Sequence, residues 1–357
     1  MKAWVLHDIA DIRYEDISKP VPAAGQVLIR VGAVGICGSD IPRIFDTGAH
    51  NMPLIPGHEF AGTVAETGEG ADPSWREKRV GVFPLIPCRK CPQCFDKKYE
   101  LCRSYDYLGS RSNGAFAEYV AVPEDNLIEL PAGVSMEEAA MLEPMAVAVH
   151  AIRQAIDIDN TDRSKSIAVY GLGTIGLFIV MFLKAEGFNN LYTIGNKESQ
   201  RNKIVSMGIS DDRYYDGRKN SLLGSEDNKR MSKEADLSAD IVFECVGKFE
   251  TYGSSIAIAN PMGTVITVGN PYSDMTLKRD IYWKILRNQL TLKGTWNSSF
   301  TGSEDDDWHY VLNMLKDKKI DPAAFISHRY DLGDLDKGLE IMRDKKEEYG
   351  KIMIINK

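Results

Sequence analysis

Four of the chain's six cysteines fall in the fifteen residues "CRKCPQCFDKKYELC", where Cys88, Cys91, Cys94 and Cys102 follow the spacing C-x2-C-x2-C-x7-C between Pro87 and Pro92. A tetrahedral zinc with Zn–S bonds of ~2.3 Å needs four thiolates aimed at one point, and two-residue gaps turn neighbouring sulfurs toward each other. Such a site is closed to water and substrate, so its metal is structural. Ferredoxin-type iron–sulfur clusters use similar C-x2-C-x2-C runs, and free thiols are a third reading. The absence of electron-transfer motifs elsewhere favours zinc.

A second set of residues suits a different metal chemistry. "GICGSD" places Cys37 just after an apolar run, "PGHEFAG" places His58 and Glu59 after a Pro-Gly turn, and "MLEPMAVAVHA" puts Glu143 before Pro144 at the start of a helical pattern. One thiolate, one imidazole and one or two carboxylates can hold zinc with a position left open for substrate. Each residue alone has an ordinary packing explanation. Their joint occurrence, among glycines that permit close backbone approach, carries the expectation.

The third motif is "VYGLGTIG", in which Gly171, Gly173 and Gly176 make G-x-G-x-x-G around Thr174 and Ile175. Glycine is needed there for a tight turn, for approach of a pyrophosphate without a Cβ, and for packing helix on strand, while the helix N-terminus favours phosphate charge. An acid about 20 residues on marks NAD sites. This chain has Gly195 there, then Asn196 and Lys197, with Arg201 a helical turn later. Loss of the acid and gain of cations favours a 2′-phosphate, so NADP(H) is expected over NAD(H).

These residues need elements to position them. Residues 1 to about 135 alternate short apolar runs ("AWVL", "QVLIRVGAVGICG", "RVGVFPLIP") with Gly and Pro, the pattern of an antiparallel β domain. "SMEEAAMLEPMAVAVHAIRQAI" switches to a helical period behind a Ser cap. From 166 onward an apolar strand, the glycine turn and an apolar helix are followed by "LYTIG", "DIVFECVG", "GTVITVG" and "LTLKG", strands of a doubly wound parallel sheet. The polar stretch 217–239 reads as a solvated helix or loop between strands. "GKIMIINK" reads as a tail strand returning to the N-terminal domain.

With 357 residues, 43% hydrophobic and 26% charged, the chain is long enough for two domains with real cores. A net charge of −8 argues against a broad basic surface for nucleic acid. No run approaches the ~20 apolar residues of a bilayer span, and "MKAWVLHDIADIRYED" meets acids where a secretory core would continue. A cytoplasmic location without membrane or nucleic-acid partners is the expectation.

In "GICGSD", "GHEFAG", the four-cysteine lobe, "GAFAEYVAVP", "LEPMAVAVHA" and "GLGTIG", in that order, the chain resembles the zinc-dependent medium-chain alcohol and polyol dehydrogenases nearly end to end. The resemblance implies an α/β chain: a GroES-like β-rich catalytic domain (1–151 and 296–357, with a structural-zinc lobe at 88–102) and a Rossmann domain (152–295). It implies two zinc ions per chain. Cys37, His58 and Glu143 then correspond to ligands of the catalytic one, with Glu59 beside the metal and able to exchange. Ser39 matches the hydroxyl that takes the alcohol's proton. Many relatives have a His shortly after it, where this chain has Pro42 and Arg43. A Glu at 143 looks like the polyol branch, and "SDIPRIFDTGAHNMPLIPGHEFAG", "YLGSRSNGAFAEY" and "KILRNQLTLKGTWN" look most like galactitol-1-phosphate 5-dehydrogenases, which form tagatose 6-phosphate. A phosphorylated substrate needs cations, and Arg43, His50 and Arg111 are the candidates. A free-polyol dehydrogenase of the sorbitol or L-iditol type, a pentitol-phosphate or keto-sugar-phosphate reductase, and an inactive zinc-binding protein of the same fold are the alternatives. Members of the branch are dimers or tetramers.

Overall fold

Glycine-punctuated apolar runs become strands in the computed structural model, which describes residues 1–218 and 237–356. Most of the polar stretch 217–239, read as a helix or loop, lies outside the described residues. The described chain divides into two units, Met1–Ala146 with Ser298–Lys357, and Val147–Asn297.

The first unit is built on Gln26–Ile36, whose mostly buried residues mark a strand covered on both faces. It pairs antiparallel with Glu59–Thr67, Tyr119–Pro123 and the tail strand Lys351–Ile355. Ile326–Asp331 runs parallel to the tail, while Arg79–Val82 and Leu127–Glu129 extend the other side. Trp4, Leu6, Ile29, Val34, Phe60, Phe116, Leu339 and Ile352 belong to one core. Pairing of Ile352 with Ile36 and of Gly35 with Glu59 brings Lys351, Cys37, His58 and Glu59 to the same end of three neighbouring strands.

The helical stretch after Ser135 forms two helices, Met136–Ala140 and Leu142–Ala155. The first has a reciprocal Ser135–Glu138 capping box. Pro144 explains the break: it has no N–H to bond the Ala140 carbonyl, and its ring disfavours a continuous helix there, whereas the first turn of a new helix tolerates it. The restart puts Glu143 in a first turn, where a carboxylate is favoured by the helix dipole.

In the second unit six parallel strands lie in the spatial order Tyr214–Asp216, Leu191–Gly195, Ile167–Tyr170, Ala239–Glu244, Ala259–Thr267, Thr291–Gly294. The order reverses beside Ile167–Tyr170, so a crevice opens at the carboxyl ends where Gly171 and Gly195 sit. Tyr214–Asp216 is a strand that the sequence pattern missed. Three half-buried residues are too few to show a period.

Candidate active site

The four thiols of the lobe come together without bonding to each other. Cys91 and Cys94 sulfurs are 3.5 Å apart, Cys88 and Cys94 3.9 Å, and Cys91 and Cys102 4.0 Å. All are free thiols, and a tetrahedron with ~2.3 Å bonds has edges of about 3.8 Å. The Arg103 backbone N–H, outweighing burial, draws the Cys91 thiol down to about 6, while burial and its sulfur neighbours push Cys94 up to about 12. Sulfurs this close cannot all ionise without a cation between them. The donor set therefore fits a structural zinc.

Cys37 Sγ, a His58 ring nitrogen and a Glu59 carboxylate oxygen lie within 4.8 Å of one another. His58 and Glu59 are buried, Cys37 partly so. Each is restrained by a second side chain. Ser39 donates its hydroxyl to Cys37 Sγ at 3.3 Å. Asp40, wholly buried, accepts the Cys37 N–H at 3.0 Å and one N–H of Arg43 at 2.5 Å, and sets Oδ1 3.4 Å from His58 Nδ1. That approach is close enough for charge attraction but is not aligned as a hydrogen bond, and His58 Nδ1 has no hydrogen-bond partner. Burial opposes the charge on His58, yet Asp40 and then Cys37 hold it protonated well above the ordinary histidine range. Lys351 Nζ, buried, donates to Glu59 Oε2 at 2.5 Å. A Cβ on Gly35 would lie 2.4 Å from that same oxygen, so a larger residue there would displace the pair.

Glu143 is near these three but not within the 4.8 Å set. Its Oε1 accepts the Tyr107 hydroxyl at 3.0 Å, and burial, opposed by His58 and aided by the Glu59 charge, pushes its carboxyl up to about 7. A thiol, an imidazole and a carboxylate within 4.8 Å of one another, with a second buried carboxylate near them, fit a divalent cation with an open position. Among the described residues the preformed set is Cys37, His58 and Glu59, with Glu143 beside it. Tyr107, Asp40 and Lys351 escaped the sequence reading; Asp40, the last residue of "GICGSD", was the one within reach.

The candidate substrate cations separate. Arg43 is largely buried against Asp40. Arg111 lies over the Tyr105 ring at 4.6 Å, and His50 is exposed on a loop whose Asn51 donates to the Arg111 carbonyl at 2.9 Å.

In the second unit Gly171 has φ 95°, and a Cβ there would meet Val246 at 2.4 Å; one on Gly176 would sit 1.9 Å from the Gly171 carbonyl oxygen. A Cβ on Gly173 would enter open space before the helix Thr174–Ala185, the cradle a pyrophosphate needs. Gln200 accepts the Asn196 N–H and donates to the Leu172 carbonyl, both at 2.9 Å, tying the two strand ends. Lys197 caps the next helix and offers its carbonyl to Tyr214. Arg201 is engaged by Asp211 through two hydrogen bonds, with Glu198 also near.

Residues 23–132 match the alcohol dehydrogenase GroES-like domain and residues 174–317 the zinc-binding dehydrogenase domain. The chain belongs to the zinc-binding alcohol dehydrogenase family. It is thus an oxidoreductase with a GroES-like unit and a Rossmann unit. Galactitol 1-phosphate 5-dehydrogenase of Escherichia coli strain K12 is 29% identical, over 96% of this chain and 95% of that protein. Sorbitol dehydrogenase of Halalkalibacterium halodurans is 28% identical, over 96% of each. The crystal structure of galactitol-1-phosphate dehydrogenase from Escherichia coli superimposes with a TM-score of 0.87 at 29% identity, covering 99% of this chain and 100% of that one. No described helix of this zinc-binding alcohol dehydrogenase is long and apolar enough to cross a membrane.

Proposed function

We propose that this chain catalyses hydride transfer between a polyol phosphate, of the galactitol 1-phosphate to tagatose 6-phosphate type, and a nicotinamide cofactor, with a zinc at Cys37, His58 and Glu59 and a second zinc at the four cysteines. The observation that carries the reading is the convergence of those three donors within 4.8 Å in a chain that also has a complete dinucleotide turn. A zinc held by Cys37, His58 and Glu59 would supply Lewis-acid polarisation of the substrate's hydroxyl, and a bound nicotinamide would supply the hydride acceptor.

The chain's own residues do the rest. Ser39, fixed against Cys37, takes the hydroxyl proton. Pro42 and Arg43 offer no imidazole behind it, so the proton leaves through water. Asp40 and Arg43 orient the His58 ring, and Lys351 balances the charge of Glu59. With Arg43 spent on Asp40, Arg111 and His50 are the side chains proposed for the phosphate.

NADP(H) is proposed over NAD(H) on the absence of a carboxylate at Gly195 and the presence of Asn196 and Lys197. A Cβ at Gly195 would come 2.7 Å from Gln200 Oε1 and 2.9 Å from the Tyr214 hydroxyl, so a larger residue there would have to push these two side-chain ends aside. Arg201, held by Asp211, contributes less than its sequence position implies.

A homo-oligomer is proposed as well. Thr291–Gly294 is an edge strand with all four residues exposed, and Trp283, Leu286 and Trp296 are each about half exposed on the same unit. An uncovered edge with apolar neighbours is suited to pairing with a second copy.

The test is nicotinamide absorbance across galactitol 1-phosphate, glucitol 6-phosphate, ribitol 5-phosphate and the free polyols, each with NAD and NADP. Turnover confined to a phosphorylated polyol supports the reading. Turnover with free hexitols alone supports the second reading, a sorbitol-type enzyme, which the near-equal identity to a sorbitol dehydrogenase keeps in view. Silence with both zincs bound overturns the substrate class.

A further inference from the structure

Two buried carboxylates, Glu59 and Glu143, border one metal position, and they are held differently. Glu59 is gripped by a cation, Lys351, at 2.5 Å, whereas Glu143 accepts a neutral hydroxyl, that of Tyr107, at 3.0 Å. Tyr107 is itself rigidly placed. Its carbonyl accepts the N–H groups of Ser110, Arg111 and Ser112 at 3.2, 2.8 and 3.2 Å, and its backbone pairs with Leu85. The turn that follows is interlocked with the loop carrying His58: a Cβ on Gly109 would lie 2.6 Å from the Gly57 carbonyl oxygen. The Tyr107 ring also stands edge-on to His58, with centroids 5.8 Å apart.

We propose that Tyr107 is a positioning residue that occupies Oε1 of Glu143 and so fixes this carboxylate to engage the metal site through one oxygen only. The proposal rests on the reading of the site as a zinc centre. Glu143 sits on a helix and Tyr107 on the short strand Asp106–Tyr107, whose following turn is locked to the loop carrying His58, so the hydroxyl couples two elements that the metal alone would have to align. Without it the carboxylate is free to rotate, to offer both oxygens or neither. Partners of this kind typically change metal affinity by ~10–100-fold when removed.

The experiment uses Tyr107→Phe in the full chain, loaded with cobalt(II) as a spectroscopic substitute for zinc, alone and combined with Glu143→Gln. The expected result is a shifted visible d–d spectrum and about tenfold easier chelator removal at the Cys37 site, with the four-cysteine site unchanged. In the Glu143→Gln background Tyr107→Phe should add nothing further. An unaltered spectrum and affinity overturns the proposal, as does an equal effect with and without Glu143, or a loss of thermal stability with no metal effect. If the unsubstituted protein binds metal only at the four cysteines, the zinc reading itself fails and takes the proposal with it; retention of both metals with identical variants defeats the proposal alone.

Discussion

Around Cys37 every donor has a guard, and the guards differ in what their loss would do. Lys351 and Glu59 are both almost wholly buried and 2.5 Å apart. Removing one partner of such a pair leaves an uncompensated charge in the core. Lys351→Met is expected to lower unfolding free energy by ~3–5 kcal/mol in the metal-free protein, and Lys351→Met with Glu59→Gln should recover most of it; denaturant midpoints decide. Arg43→Gln strips Asp40 of its cation at a site where Arg43 keeps 16% of its side-chain exposure. Water can partly replace it, so a smaller loss of ~1–3 kcal/mol is expected, together with weaker zinc retention against a chelator. Cys37→Ser should abolish turnover and remove one zinc equivalent while the circular dichroism spectrum stays native. Retained activity would take Cys37 out of the metal site.

Among the elements, the four-cysteine lobe belongs to one unit and the strand end at Gly195 to the other. The lobe's secondary structure amounts to the short helix Pro92–Phe95 and one 3-10 turn, Tyr99–Leu101. A metal held there would be coupled to folding. Cys91→Ser is expected to lower the melting temperature and open the lobe to proteolysis, and an unchanged melting curve would show the lobe to be held by packing instead. At the other strand end, Asn196→Asp with Lys197→Ile should move the NADP/NAD preference toward NAD by about tenfold, the worth of a single charged hydrogen bond. An unchanged cofactor ratio would mean that the ribose is bound elsewhere.

For the whole molecule the relevant surface is the edge of the parallel sheet. Leu292→Glu with Trp296→Glu adds charge beside the exposed strand Thr291–Gly294. Both residues are exposed, so the monomer's own core is untouched. Sedimentation should shift toward the monomer with little change in the metal content of each chain. A mass unaltered by these charges would exclude this edge as the contact between copies.

The sequence by itself determined the motifs that are local. The four cysteines, the G-x-G-x-x-G turn, Cys37 and His58 with Glu59 are each held within a few residues by spacing and glycine, so chemistry can be read directly from order. The parallel-sheet unit was legible for the same reason: apolar strands ending in glycine announce themselves one at a time. Only the tertiary structure decided what meets across long separations. It brings Lys351, 292 positions away in the chain, onto Glu59, it pairs Arg43 with Asp40, and it sends Arg201 to Asp211. It also gives Glu143 the hydroxyl of Tyr107. A hydrogen bond or ion pair between distant residues leaves no period and no spacing in the sequence, because its geometry is set by strand register and loop packing. Spacing can nominate a ligand; which carboxylate meets the metal is settled by what holds each one in place.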